Sequence, residues 1–447
     1  MVGDISMDTI KRKFFSNTSW LILQQLYSMV LSLIVGAISA RYLGPSNYGL
    51  INYGASFVAF FTSISTLGFD SVIVTEIVKL PNRKSDYLGT ALLLRLIVSI
   101  LSFFAVSIII FFVARGDDIL VRVTIFQAFG IVLQTYQVLN YWFQTELKMK
   151  VVSIASMCAI TAVNIWKIFL LVTKASVEWF ALSTSINWLV CGLVVTVVFI
   201  KISKLKLSLS FSAAKYLLSL SYNYIVADIA SVLYGQMDKL MLGSILDPST
   251  VGYYSAATTI ANMWLFIPNA IISSSIPIII GKRAENYSGY LKLFKKLLLT
   301  VTYTGMFFAI SFTLFGWLAI RILYGAEYDN AIIPLIILSW SSVFAILGSA
   351  RSPWITGEKY YKYTKYYILF GFGVNLILNF ILIQIWGVIG AATATLLSQF
   401  AVLFIGPALF KDTRSFVKIY ITSFRYTKEL FYSFKLYFTK IIGNFSK

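Results

Sequence analysis

The chain is predicted to be an all-α membrane protein of about 12 transmembrane helices, arranged as two parallel-repeat six-helix lobes. Three observations predict this. First, 58% of the 447 residues are hydrophobic and only 12% charged, and they fall into long apolar runs; a bilayer core of about 30 Å takes about 20 such residues per helix. Second, basic residues gather in alternate connections. Third, short segments of the first half recur in the second. The runs far exceed the roughly 10-residue alternating strands of a membrane barrel, and helices are then the remaining way to satisfy backbone polar groups in lipid.

The spans fall near residues 16–40, 48–78, 88–113, 120–143, 151–173, 177–200, 216–243, 251–281, 297–320, 330–350, 363–385 and 387–410, with short connections. The first break, "RYLGPSNYGL" at 41–50, holds Pro45, which cannot donate to a helix ladder, and glycines that permit a tight turn. Basic residues cluster at 11–13, 79–84, 148–150, 201–215, 282–296, 351–365 and beyond 410. The intervening connections hold only Arg41, Arg115, Arg122, Lys174 and Arg321, while Arg95, Lys167 and Lys239 lie inside spans. Because Lys and Arg are retained on the cytoplasmic side, both termini are expected there. The net charge of +19 is then explained by topology and attraction to anionic inner-leaflet lipid, without nucleic acid.

The repeat sets the domain expectation. "LGPSNYGLINYGAS" at 43–56 is echoed by "LGSILDPSTVGYYSAA" at 242–257, with Gly49 matching Gly252. "TELK" at 145–148 matches "TGEK" at 356–359, and "VNIWKIFLLV" at 163–172 matches "VNLILNFILI" at 374–383. An N-terminal lobe over 1–200, a cytoplasmic linker over 201–215, a C-terminal lobe over 216–410 and a basic tail over 411–447 follow. Six helices per half give both halves the same orientation, and the seam between such repeats is where transporters commonly hold substrate.

Absences narrow the chemistry. The chain has no histidine and two cysteines, Cys158 and Cys191, both within spans, so neither His-based catalysis nor a metal or disulfide framework is indicated. No P-loop pattern is present. Charges within spans cost roughly 2.5 to 3.5 kcal/mol each and usually face a bundle interior or wet cavity. Arg95 and Asp228 lie well inside helices 3 and 7, whereas Asp70, Lys167, Asp238 and Lys239 lie nearer span ends, where side chains snorkel or pair locally.

"ARYLGPSNYGLINYGASFVAFFTSISTLGFD", "MLGSILDPSTVGYYSAA", "LYGAEYDNAIIPL" at 323–335 and "IWGVIGAATATLLSQ" at 385–399 together resemble the Wzx-type O-antigen and polysaccharide flippases of the multidrug/oligosaccharidyl-lipid/polysaccharide exporter superfamily. The resemblance covers residues 10–410. It implies a protein of the bacterial inner membrane that is not an enzyme, needs no cofactor and moves an undecaprenyl-pyrophosphate-linked oligosaccharide between leaflets. For such a substrate Arg95 and Arg41 suit phosphate contact, since guanidinium binds phosphate in a bidentate fork; Arg41 also fits an interface anchor. Gln24, Gln25, Asn223, Tyr234, Gln236, Asn262 and Trp264 offer amide, hydroxyl and flat apolar partners for sugars from helices that line the family's cavity, or equally ordinary interhelical contacts. Asp228 or Asp70 is the candidate for proton or sodium coupling.

In the tail, Leu430, Phe434, Tyr437, Phe438 and Ile441 share one helical face and Arg425, Lys428, Lys435 and Thr439 the other, a pattern for a helix on the inner membrane surface or a docking site for a polysaccharide-assembly protein. Two other functions fit the span count. One is a drug or metabolite exporter of the same superfamily. The other is a membrane polymerase or glycosyltransferase, disfavoured because no outer connection is long enough to carry acids and bases.

Overall fold

A computed structural model describes residues 7–432, and among these there is no strand. Ten helical segments are long and apolar enough to cross a membrane. Two of them, Ser16–Ser65 and Tyr361–Ala408, are 50 and 48 residues long, more than twice the span requirement. Each is broken by a glycine in a conformation other residues resist: Gly44 at φ 70° and Gly387 at φ 56°. Each is therefore two crossings, and the ten segments supply twelve. Gly44 is followed directly by Pro45, so the residue that bends the chain stands next to one that cannot bond back to the preceding turn.

The crossings are α1 (16–43), α2 (45–79), α3 (Lys84–Val113), α4 (Asp118–Thr145), α5 (Met149–Val172), α6 (Val177–Ser203), α7 (Phe211–Ile245), α8 (Pro248–Glu285), α9 (Tyr287–Leu323), α10 (Ile332–Ala350), α11 (361–386) and α12 (388–408). A short helix, α13 (Ser415–Ser423), follows. The chain divides into two compact units, Met1–Gly252 and Tyr253–Lys447. That division falls later than the expected linker at 201–215, because α7 lies along α2 and α3.

Within the first unit α7 runs antiparallel to α2. Gly243 meets the ring of Tyr53, where an added Cβ would lie 2.5 Å away, and Gly68 meets the backbone of Ser221 and Ile225 at about 3 Å. Between these contacts Ser56 donates to Gln236 Oε1 at 3.2 Å. The turn into α2 and the turn from α7 to α8 also cross reciprocally. A Cβ on Gly49 would lie 1.7 Å from the Pro248 carbonyl oxygen, and one on Gly252 would lie 2.1 Å from that of Pro45. The expected equivalence of Gly49 and Gly252 thus extends to Pro45 and Pro248.

The second repeat is visible in the backbone, one residue out of register with the match of 145–148 to 356–359. The helix ending at Thr145 closes with Lys148 N–H donating to Phe143 O at 2.7 Å, and the one ending at Gly357 closes with Tyr360 N–H donating to Ile355 O at 2.9 Å. Leu147 and Lys359 take the left-handed position, at φ 52° and 60°. Buried Trp142 corresponds to buried Trp354. Each unit adds the same ion pair at this turn, Lys84 to Glu146 in the first and Arg283 to Glu358 in the second.

The tail packs on its own unit rather than lying only against a membrane surface. Phe416 is buried, Thr302 meets Tyr420, and Lys292 and Lys296 both reach Glu429 at 2.9 Å. The expected faces hold for Leu430, which is buried, and for Arg425 and Lys428, which are exposed. Phe434, Lys435, Tyr437, Phe438, Thr439 and Ile441 lie outside the described residues.

Candidate functional site

Helix α2 does not run unbroken to Lys79. Leu67 and Gly68 both have positive φ, 54° and 62°, and the helix restarts at Phe69 with Asp70 in its first turn. A carboxylate is favoured there by the N-terminal end of the helix dipole. Gly68 serves two needs at once: it adopts the left-handed conformation without strain, and its missing side chain lets α7 approach to backbone contact. That approach brings Asp228, midway along α7, into the electrostatic field of Asp70.

The two carboxylates line one cavity of about 490 Å³, bounded by α2, α4, α6 and α7. Gln127 and Gln134 face it from α4, Thr184 and Trp188 from α6, and Thr62, Ser63 and Thr66 from the last turns before the break. Its lining contains no Lys or Arg. Gln127 is held by donating to Ile51 O at 3.0 Å. Asp70 accepts a short hydrogen bond from the Tyr141 hydroxyl. Asp228 has no hydrogen bond or ion pair among the described residues. The site can therefore hold water and a cation, and it presents amides, hydroxyls and one indole face to a ligand.

Behind this wall lies Arg95, which is 0% exposed. Its Nη2 donates to Gln137 Oε1 at 2.7 Å, while Nε and Nη1 have no acceptor. Its charge also acts on Tyr141, the residue bound to Asp70. Arg95 was expected to touch phosphate; the structure instead buries it outside the cavity lining, with one of its three nitrogens bonded to the Gln137 amide.

The other expected residues scatter. Gln236 joins α7 to α2 through Ser56. Tyr234 is half-buried and engaged by neighbours. Gln24 donates to Ser28 at 3.3 Å, and Gln25, Asn223 and Asn262 are exposed. Arg41 is exposed beside the Gly44 bend. Lys167 is half-buried on α5, and buried Asp238 sits next to Lys239 on α7. Trp264 is corrected: 1% exposed, it donates to Ser342 at 3.3 Å and stacks on Phe308, so it is core of the second unit and offers no sugar face. Sequence reasoning missed Gln127, Gln134, Thr184, Trp188 and Tyr141. The signal available was the two glutamines seven residues apart, one face of two helical turns in an otherwise apolar stretch.

The sequence pattern of the family described as "Polysaccharide biosynthesis protein" matches residues 14–282. A protein of Escherichia coli (strain K12) named "Putative O-antigen transporter" is 24% identical over 399 residues, covering 88% of this chain and 95% of that one. A Haloferax volcanii protein named "Probable low-salt glycan biosynthesis flippase Agl15" is 29% identical over 223 residues, 47% of this chain and 45% of that one. Among solved structures, lipid II flippase MurJ in an inward closed conformation gives a TM-score of 0.70 at 18% identity, covering 93% of this chain and 92% of that one. An inward-facing multidrug resistance MATE family transporter gives 0.64 at 14% identity, covering 91% and 99%. These two share the fold. The relatives are transporters and flippases rather than enzymes, which sets the polymerase alternative aside.

Proposed function

We propose, from the premise that the chain belongs to the polysaccharide biosynthesis protein family, that it is a flippase carrying undecaprenyl-pyrophosphate-linked oligosaccharide units across the cytoplasmic membrane by alternating access, coupled to a proton or sodium gradient. The observation that carries the mechanism is the cavity at the interrupted α2, where Asp70 and Asp228 face open volume within a membrane-spanning unit. Interrupted helices beside a cavity are where transporter folds coordinate coupling ions. An unpaired carboxylate there favours uptake of one cation, and an ion binding one conformation better than the other shifts their populations by its differential affinity. The carried head group is supported by the likeness to an O-antigen transporter over 95% of that protein.

The acid-lined wall does not suit pyrophosphate, so in this reading the phosphates pass elsewhere, and Arg41 is the remaining candidate contact. The distribution of basic residues supports both termini being cytoplasmic. A second reading has its own observation: an anionic, amide-lined cavity with an indole also fits small organic cations, as in a drug exporter. Depleting the protein separates the two. The flippase reading expects lipid-linked repeat units to accumulate facing the cytoplasm while surface polysaccharide falls. Intact polysaccharide with raised sensitivity to cationic drugs would favour the exporter.

A further inference from the structure

We infer that Arg95 is the resident counter-charge of Asp70, reached through Tyr141, and that it leaves Asp228 as the carboxylate that takes the exchanged cation. The inference rests on the ion-coupled reading of the cavity above and names a positioning residue for it. Arg95 is wholly buried on α3, its single hydrogen bond goes to a neutral amide, and two of its nitrogens lack acceptors. A buried guanidinium left so needs an anion nearby. Asp70 supplies it, because Arg95 donates to Gln137 and Tyr141, one turn farther along the same helix, donates to Asp70.

The groups facing the pair are few. Among the described residues they are Arg95 from α3, with Tyr136 of α4 and Cys191 of α6 on its side, Tyr141 from α4 on Asp70, and Asp228 from α7. Farther along α2, Glu76 and Lys79 bind each other, and Tyr216 donates to Glu76. One cation therefore stands against two carboxylates, and the phenol assigns it to Asp70. Asp228, open to the cavity and without a partner among the described residues, is left one charge short. The arrangement makes the site a single-cation exchanger rather than a two-cation one.

The test uses the purified full-length protein and Trp188, which lines the cavity. Its emission is isolated as the difference between proteins with and without Trp188→Phe, and is followed against pH and against sodium with no glycolipid present. The wild type is expected to give one pH transition, lost in Asp228→Asn. Arg95→Gln is expected to add a second transition, and Arg95→Gln/Asp70→Asn to remove it while keeping the first. Arg95→Lys should retain the single transition. Tyr141→Phe keeps the charge but cuts the bridge, so it too should add the second transition, which covers a failure of Arg95→Gln to fold. A single unchanged transition in Arg95→Gln or in Tyr141→Phe overturns the inference, as does a second transition that survives Asp70→Asn. Absence of any Asp228-dependent transition in the wild type overturns the ion-coupled reading, whereas failure to flip glycolipid with these titrations intact overturns only the substrate.

Discussion

The two units share a backbone plan and differ in what fills it. Both follow a helix end with a left-handed residue, Leu147 or Lys359, bury a tryptophan five residues before it and clamp the glutamate just before it to a cation. Yet the first encloses a 490 Å³ cavity with two carboxylates. In the second, Trp264, Phe294, Tyr290, Trp354 and Tyr367 pack into a continuous aromatic core, and a hollow of about 240 Å³ there is lined mostly by Ile and Leu side chains, with Lys296 and no carboxylate among them. The difference teaches that a repeated scaffold need not repeat its chemistry. One copy spends its interior on polar groups and tolerates the cost of desolvating them, while the other keeps a well-packed interior.

The comparison breaks most visibly at the second unit's core. Trp264→Ala should cost about 3–5 kcal/mol of stability, read as a lower thermal unfolding midpoint, while the ion dependence of transport stays unchanged. The first unit should answer oppositely. Asp228→Asn should leave the midpoint nearly unmoved and remove ion-dependent stimulation of transport, a coupling of about 1–3 kcal/mol or 5–150-fold. Gly68→Val tests the link between fold and site: its side chain meets α7 backbone at about 3 Å in a left-handed conformation, so a loss of about 1–3 kcal/mol should come with loss of the Asp228 response.

Smaller effects test whether the shared parts are equivalent. Glu146→Gln and Glu358→Gln each remove a partly exposed ion pair, so each should cost at most about 1 kcal/mol, and by nearly equal amounts. The smallest is the tail. Hydrogen bonds from Lys292 and Lys296 hold the Glu429 carboxyl below its usual range. Its docked value being lower than its free value, the contact contributes above the ordinary carboxylate range and is lost as pH falls through the docked value. Proteolysis of residues 415–432 should therefore quicken in acid, and Glu429→Gln should abolish that dependence.

Much of the fold was legible because spans are set by bilayer thickness and breaks by glycine and proline, as at Gly44–Pro45 and Gly387. Asp70 and Asp228 were legible one at a time, since an acid in an apolar run needs a reason. Their meeting was not, because it depends on Gly68 letting α7 lie against α2, a contact between segments far apart in sequence. Gln127, Gln134 and Trp188 carry no charge and look like any residues that bond between helices. Trp264 misled because Asn262, two residues earlier, is polar and exposed, yet those two residues carry the helix about half a turn round, from surface to core. Arg95 misled in a different way: a span charge faces either a bundle interior or a wet cavity, the affinity of guanidinium for phosphate pointed to the second, and the structure buries the residue in the first.

The interlocked prolines and glycines at 45–49 and 248–252 bear on how that part of the molecule can move. Each carbonyl oxygen occupies the place a methyl group would take on the opposite segment of the crossing, so the two helix starts are keyed like a dovetail. Shear along either chain drives an oxygen into a neighbouring residue that does have a side chain, whereas lifting the segments directly apart meets no such obstruction. Motion at this crossing is thereby restricted to parting and rejoining, always in the same register.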